Sequence, residues 1–454
     1  WGENMKLRKD FVWGAACSAY QTEGYPNADG GGVSVWDVFS HTAGKTFDGE
    51  TGDIACDGYH RYQQDIDLLA GLNLSAYRFS TSWARVDPQG DGNWNEAGLA
   101  YYDRVVDACL AAGVTPWMTL YHWELPQALE QKGGWMNRDT AAAFARYAGM
   151  MAARFQGRVT HYITLNEPQC AIGLGYGTGQ HAPGHKLPLP EVFFAWCNIL
   201  RAHGLAMRAM QAADGTAQIG FASTGRLCYP ATDSADDIDA ARLASFAPTD
   251  DDWTFTHAMA LDPVCYGRFP GAGSGALAKL IAAVPAADLA EMHEPPDFVG
   301  YNIYNGWKMG RGADGNPAYV HRGSGYPRTA LKWPITPEVM NWGVRFLYER
   351  YPLPTTISEN GLSCNDKVYL DGAVHDAERI DFLHRYLLAL GQAVDAGVDL
   401  RGYFHWSLTD NYEWDQGYNE RFGLIFVDYL TQQRIVKDSG RWFAEVAKTN
   451  GANL

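Results

Sequence analysis

Two short segments carry residue types suited to acid–base chemistry on a sugar. Thr164-Leu165-Asn166-Glu167-Pro168 and Ile357-Ser358-Glu359-Asn360-Gly361 each follow β-prone residues and put a glutamate where a strand gives way to a loop. A carboxylate beside Pro or Gly at a strand end is poorly placed to fill a core or to decorate a solvated helix face. Either glutamate alone reads equally well as half of a loop salt bridge. Together they match the pair that breaks a glycosidic bond: a neutral acid protonates the departing oxygen while a second carboxylate attacks or shields the sugar carbon.

Eight apolar, β-rich runs can position such residues: 11–16, 74–80, 115–121, 162–166, 218–223, 298–303, 355–359 and 402–406. Runs this short and apolar are expected of strands buried on both faces. Amphipathic patterns alternate with them at 59–71, 96–112, 139–155, 191–213, 337–351 and 376–396. The first puts Ile66, Leu69 and Ala70 on one face, and the second stops at Gly113, a C-cap signal. Eight alternations predict an α/β fold, a single (β/α)8 TIM barrel over residues 5–454. The surplus length falls at 25–51, 176–189 and 306–332, expected as extended βα loops over the active site. Residues 228–270 read as a loop followed by irregular helix. Residues 1–4, ahead of Met5, read as a vector-derived remnant.

Bulk properties narrow the function. The 454 residues carry a net charge of −16, which disfavours nucleic acid and anionic membranes as partners. Aromatic residues make up 13%, with 16 Trp and 25 Tyr, enough for both a large core and a carbohydrate cleft where sugar faces lie on indole rings. The eight cysteines are scattered with no C-x-x-C pair, which fits buried free thiols in a reducing cytoplasm. No signal-peptide core and no run of 18 apolar residues occurs, so a soluble, cytoplasmic protein is expected. Gly173 to Gly179 alternate glycine without nucleotide-binding spacing, and Pro183 and Gly184 separate His181 from His185, which precludes a helical metal face. Thr249-Asp250-Asp251-Asp252 reads as a solvated loop or a helix N-terminus. Neither a cofactor nor a metal is expected, and the oligomeric state is left open.

Further motifs bring a resemblance into view. They are Phe11-Val12-Trp13-Gly14, Ser18-Ala19-Tyr20-Gln21-Thr22-Glu23-Gly24, Tyr77-Arg78-Phe79-Ser80, Tyr121-His122-Trp123-Glu124-Leu125-Pro126 and Trp406-Ser407-Leu408-Thr409-Asp410-Asn411-Tyr412-Glu413-Trp414. With the two glutamate segments, the chain resembles glycoside hydrolase family 1, the retaining β-glucosidases and their relatives, along essentially its whole length. The resemblance implies a retaining, exo-acting β-glycosidase, foremost a β-glucosidase, acting on terminal β-D-glucosyl residues through a covalent glycosyl-enzyme. It implies Glu359 as nucleophile and Glu167 as acid/base. Arg78 would lie beside the nucleophile and lower its pKa, and Asn302 would support the site. Asn166 would donate to the sugar 2-hydroxyl, and Tyr304 would hydrogen-bond the nucleophile. Gln21, His122, Glu413 and Trp414 would grip the 3-, 4- and 6-hydroxyls. Trp406 would lie under the ring, and Trp333 would stack on the leaving group.

Three places depart from that pattern. Glu124 stands where Asp is usual, His405 precedes Trp406, and Ala258-Met259-Ala260 replaces Arg-Trp-Phe, which leaves the cleft mouth undefined. Galactose or fucose specificity and transglycosylation remain open. A 6-phospho-β-glucosidase is disfavoured by Glu413, Glu420 and Phe422 in the last βα loop, which offer a dianion no cation. A non-catalytic sugar-binding relative is disfavoured by the presence of both glutamates.

Overall fold

The computed structural model describes residues 7–454, so the remnant expected at residues 1–4 lies outside the described residues. Eight parallel strands close into a barrel: β1 (Val12–Ala16), β2 (Ala76–Ser80), β3 (Thr115–Tyr121), β4 (His161–Asn166), β5 (Gln218–Ser223), β6 (Phe298–Asn302), β7 (Thr355–Asn360) and β8 (Leu400–Trp406). Each strand pairs with its neighbours in sequence, and β1 closes the ring against β8, with Ala16 opposite Trp406. The strands coincide with the eight apolar runs to within two residues at either end. Helices at Gly58–Gly71, Glu96–Ala111, Asp139–Arg154, Leu189–Ala213, Glu338–Arg350 and Ala377–Asp395 occupy the expected amphipathic segments. This is the (β/α)8 barrel.

Alternation along each strand divides the core in two. One set of side chains, with Trp117, Ile163, Phe298, Phe404 and Trp406 among its larger members and Ala16, Ala76 and Ala222 among its small ones, fills the barrel interior. The other faces the helices and forms the larger outer core. Small and large residues must alternate for the interior to close. A Cβ at Gly14 would come within 2.5 Å of the Phe404 ring, and one at Gly220 within 2.4 Å of the Phe298 ring. The eight cysteines are free and buried.

Register shifts fall where the chemistry is expected. The β4–β5 ladder slips between Ile163 and Asn166, and the β6–β7 ladder between Ile357 and Glu359. Such bulges re-aim the side chains that follow them. At these positions they turn strand ends that carry Glu167 and Glu359 toward the barrel axis.

The 228–270 segment is more regular than its sequence suggests. It holds a short strand, Cys228–Pro230, and helices Ala235–Phe246 and His257–Tyr266. The 306–332 segment is not a plain loop either. It supplies Trp307–Arg311 and Pro317–Tyr319, which join Cys228–Pro230 in a three-stranded sheet. Strands of three to five residues with mixed exposure leave too short a periodic signal to read from sequence. The acidic run caps a helix at a distance: Asp250 accepts from the backbone N–H groups of Ala276 and Leu277 at 3.0 and 3.2 Å.

A buried ionic cluster fastens the loop after β8. Lys437, fully buried, donates at 2.6 Å to both Asp366 and Asp410. Arg421 also reaches Asp410, at 2.7 Å, and Arg379 pairs with Asp366 and Asp376. Removing one partner of a buried ion pair strands the others without compensation. Lys437→Met is therefore expected to destabilise the fold by about 3–5 kcal/mol in equilibrium urea unfolding. A loss below about 1 kcal/mol would show that Arg379 and Arg421 already neutralise the cluster.

Candidate active site

The C-terminal ends of the strands converge on one cavity of about 330 Å³. Its walls include His122, Glu167, Asn302, Tyr304, Trp333, Glu359, Trp406, Glu413 and Trp414, nine of the residues singled out from sequence. The C-terminal mouth is where a barrel of this type presents residues from many strands to one ligand.

Arg78, on β2 and 1% exposed, is the hub beneath this cavity. Its Nη1 donates to Glu359 Oε1 at 2.6 Å and to the Ser358 carbonyl at 3.0 Å. Its Nη2 donates to Asn166 Oδ1 at 2.6 Å, and its Nε to Thr119 Oγ1 at 3.2 Å. Tyr304 donates to the other oxygen of Glu359 at 2.7 Å. Glu359 is thus held at both oxygens by donors from different strands and loops.

Glu167 is held differently. It follows Asn166 with a left-handed backbone (φ 44°), a strained conformation for a side-chain-bearing residue. Asn302 donates to its Oε1 at 2.7 Å, and the Cys170 thiol to its Oε2 at 3.2 Å. Asn302 is in turn oriented by Ser358, whose hydroxyl donates to its Oδ1 at 2.6 Å. Sequence reasoning missed Cys170 and Ser358. Cys170 follows Pro168 into a π-helical segment, Gln169–Thr178, and the three-residue spacing from Glu167 was the available signal. Ser358 carries no chemistry of its own and is recognisable only from its contact.

The two carboxyls differ electrostatically. Burial raises both. Repulsion from Glu359 pushes Glu167 further, to about 8, against the hydrogen bonds from Asn302 and Cys170. Glu359 is also raised by burial, while Arg78 and Tyr304 draw it back. Arg78 therefore acts in the direction read from sequence, while desolvation outweighs it and leaves Glu359 raised. Of the pair, Glu359 has the cation and releases its proton first.

Asn166 has two donors on Oδ1, from Arg78 and Asn302, which fixes its amide orientation. Its Nδ2 then donates to His122 Nε2 at 3.1 Å, so the His122 proton sits on Nδ1. Burial and the nearby Arg78 hold His122 well below the usual histidine range, hence neutral. Trp406 lies near-parallel to His122, with ring centroids 5.7 Å apart. Trp333 meets Tyr304 edge-on at 5.3 Å. Trp414, φ 52°, packs on Trp36 and Trp123, each at 4.5 Å.

Gln21 does not line the cavity. It is fully buried one layer behind, accepting from Ser18 at 2.6 Å and donating to the Tyr412 carbonyl at 2.9 Å and Glu413 at 3.4 Å. Glu413 itself faces the cavity. Burial and the neighbouring Glu359, Asp415 and Glu420 raise it well above the usual carboxylate range. No Arg or Lys lines the cavity among the described residues, and Lys332 is an exposed rim residue whose charge acts on Glu420. Of the sequence departures, Glu124 is buried and accepts from the Tyr20 N–H at 2.9 Å, and His405 meets the Phe422 carbonyl at 3.1 Å. Ala258, Met259 and Ala260 are packed in the outer core, where the Met259 carbonyl accepts from the Trp196 indole at 3.1 Å.

Known proteins resemble the chain along nearly its whole length. The family model for glycosyl hydrolase family 1 matches residues 3–452. The chain is 41% identical to β-glucosidase A of Thermotoga maritima, covering 98% of each chain. It is 40% identical to a bifunctional β-D-glucosidase/β-D-fucosidase of Bifidobacterium breve, over 97% of each. A structure of the family 1 β-glucosidase from Thermotoga maritima in complex with isofagomine lactam superposes with a TM-score of 0.88 at 40% identity, covering 99% of this chain and all of that one. The chain belongs to glycosyl hydrolase family 1.

Proposed function

We propose that the protein is a β-glucosidase that hydrolyses terminal, non-reducing β-D-glucosyl residues with retention of configuration. The observation that carries this reading is the unequal pair: Glu359 clamped by Arg78 and Tyr304, and Glu167 beside it with its proton retained to about 8. The first is suited to attack the sugar carbon as an anion, the second to protonate the leaving oxygen as a neutral acid. In the second half-reaction, Glu167 takes a proton from water as that water attacks the glycosyl-enzyme. Asn166, which lies between Arg78 and His122 and is buried behind the cavity wall, is assigned to the sugar 2-hydroxyl. Glu413, His122, Trp406 and Trp414, which line the cavity, are assigned to the rest of the ring, with Gln21 aligning Glu413. Trp333 is the partner for the leaving group. The names of the relatives support glucose foremost, with fucose as a second sugar.

The cleft, free of Arg and Lys among the described residues, supports neutral substrates, and the buried unpaired cysteines support a reducing compartment. The chain is read as one catalytic unit. No helix among the described residues is long and apolar enough to cross a membrane.

A panel of nitrophenyl β-glycosides tests the reading. The glucoside is expected to turn over with the β-anomer as first product by NMR, and the 6-phosphoglucoside to be hydrolysed at least about 100-fold less efficiently, since a lost charged hydrogen-bond partner costs about 1.5–3 kcal/mol and a dianion needs more than one. A preference for the phosphorylated substrate, or an α-anomer as first product, would contradict it.

Glu167→Gln separates the acid role from binding. Wild-type kcat/KM on an alkyl glucoside should fall as pH rises through about 8, where Glu167 loses its proton. The variant should lose that alkaline limb and about 10²–10⁴-fold in rate on the alkyl glucoside, while glycosylation by a dinitrophenyl glucoside, which needs no protonation, is largely spared. Equal losses on both substrates would remove Glu167 from the acid role.

A further inference from the structure

Cys170 is the one cysteine among the described residues that lines the catalytic cavity. Its place follows from the turn that leaves β4. Glu167 is left-handed (φ 44°), and Pro168 then takes up a right-handed helical conformation. The Glu167 carbonyl accepts from the Cys170 and Ala171 N–H groups at 3.0 and 3.2 Å. That turn opens the π-helical segment and carries the Cys170 side chain back to the carboxyl that precedes it. Sγ lies 3.2 Å from Oε2, and among the described residues this is the only hydrogen bond the thiol makes.

The two oxygens of Glu167 are not equivalent. Oε1 accepts from the Asn302 amide at 2.7 Å. Asn302 cannot turn its carbonyl to Glu167 instead. That oxygen already accepts from Ser358 at 2.6 Å, and the amide also serves Asn166 at 3.0 Å. An amide N–H only donates, and the carbonyl oxygen of a carboxylic acid accepts better than its hydroxyl. The acidic proton therefore resides on Oε2, beside Cys170. The other ionisable groups that face Glu167 are Glu359 on β7, Arg78 on β2, Tyr304 after β6 and Glu413 after β8. None of them hydrogen-bonds Oε2, and Cys170 is the sole described side chain that does.

A thiol suits that place because it is weak both as donor and as acceptor. With Glu167 ionised, the S–H donates to Oε2. With Glu167 protonated, the Oε2 hydroxyl turns to a sulfur lone pair. A carboxylate or a carbonyl in the same position would bind the proton firmly and oppose its transfer, whereas sulfur yields it readily to a glycosidic oxygen. Burial and the neighbouring Glu167 raise the thiol well above its usual range, so it stays S–H and brings no further anion to the site.

We propose that Cys170 is the positioning residue for the transferred proton, aiming Oε2 of Glu167 at the glycosidic oxygen in both halves of the reaction. In the first half, the proton passes from Oε2 to the departing oxygen as the bond from C1 to that oxygen breaks and Glu359 bonds to C1. The thiol then donates to the carboxylate left behind. In the second half, the hydroxyl of water bonds to C1 as Glu359 leaves, and the proton of that water returns to Oε2. This role presupposes the β-glucosidase reading, in which Glu167 is the acid.

Cys170→Ala and Cys170→Ser, followed across pH on an alkyl and a dinitrophenyl glucoside, test it. Alanine removes the donor that favours the Glu167 anion. The alkaline limb of kcat/KM on the alkyl glucoside should then move up from about 8, by about half a pH unit or more. Below that limb, kcat/KM on the alkyl glucoside should fall about three- to tenfold, because the acid is less well aimed. Glycosylation by the dinitrophenyl glucoside, which needs no proton, should be spared. Serine also donates and accepts, so it should return the limb to the wild-type position or below it and recover most of the alkyl rate. An unmoved limb in Cys170→Ala, or equal losses on both substrates that serine fails to restore, would overturn the positioning role and leave Glu167 as the acid. A wild type with no alkaline limb on the alkyl glucoside would instead overturn the acid assignment beneath it.

Discussion

The active end of the barrel depends on a single buried cation. Arg78 sits on β2, 1% exposed, and spends its donors on Glu359, the Ser358 carbonyl, Asn166 and Thr119. Without it, Glu167, Glu359 and Glu413 would face one another in a desolvated cavity with no cation to favour ionisation of Glu359 and only the Tyr304 hydroxyl to draw it down. With it, one carboxyl is drawn toward its anion, and that anion's field keeps the next one protonated. The same guanidinium fixes the Asn166 amide and, through it, the His122 tautomer. One charge therefore sets the protonation of the reacting pair and the donor pattern offered to the sugar.

The fold's task is to hold that cation dry and to bring two strand ends to it. The interior packing of Trp117, Phe298, Phe404 and Trp406 closes the barrel beneath Arg78. The register slips in β4 and β7 then turn Glu167 and Glu359 into the space above. The loop that brings Glu413 and Trp414 over the cavity has little regular structure of its own. It is anchored by Asp410 to Lys437 and Arg421, so the C-terminal region supports the sugar-binding wall through buried charge.

Much of this was legible in the sequence because barrel strands are short apolar runs separated by strong helical periodicity. Strand β3 and strand β5 match their runs residue for residue. The two glutamates were legible because a carboxylate at a strand end has few uses. What escaped were features created by contact. Cys170 and Ser358 owe their places to Glu167 and Asn302, and nothing in their types announces it. Gln21 carries a recognisable motif, yet folds one layer behind the cavity because Ser18 and the Tyr412 carbonyl absorb its polar atoms. The upward shifts of Glu359 and Glu413 follow first from the depth of burial, which neighbouring charges alone do not predict. The three-stranded sheet beside the cleft was missed because strands of three to five residues carry too little pattern.

The ordering of the two carboxyls is the central claim, and a carboxyl-carbon NMR titration of the protein labelled at glutamate Cδ reads it directly, with the resonances assigned through Glu167→Gln and Glu359→Gln. Glu359 should release its proton first and Glu167 should titrate at about 8. In Glu359→Gln, where the repelling anion is gone and Arg78 is left uncompensated, the pKa of Glu167 should fall. A Glu167 that titrates before Glu359, or one unmoved by Glu359→Gln, would contradict the account.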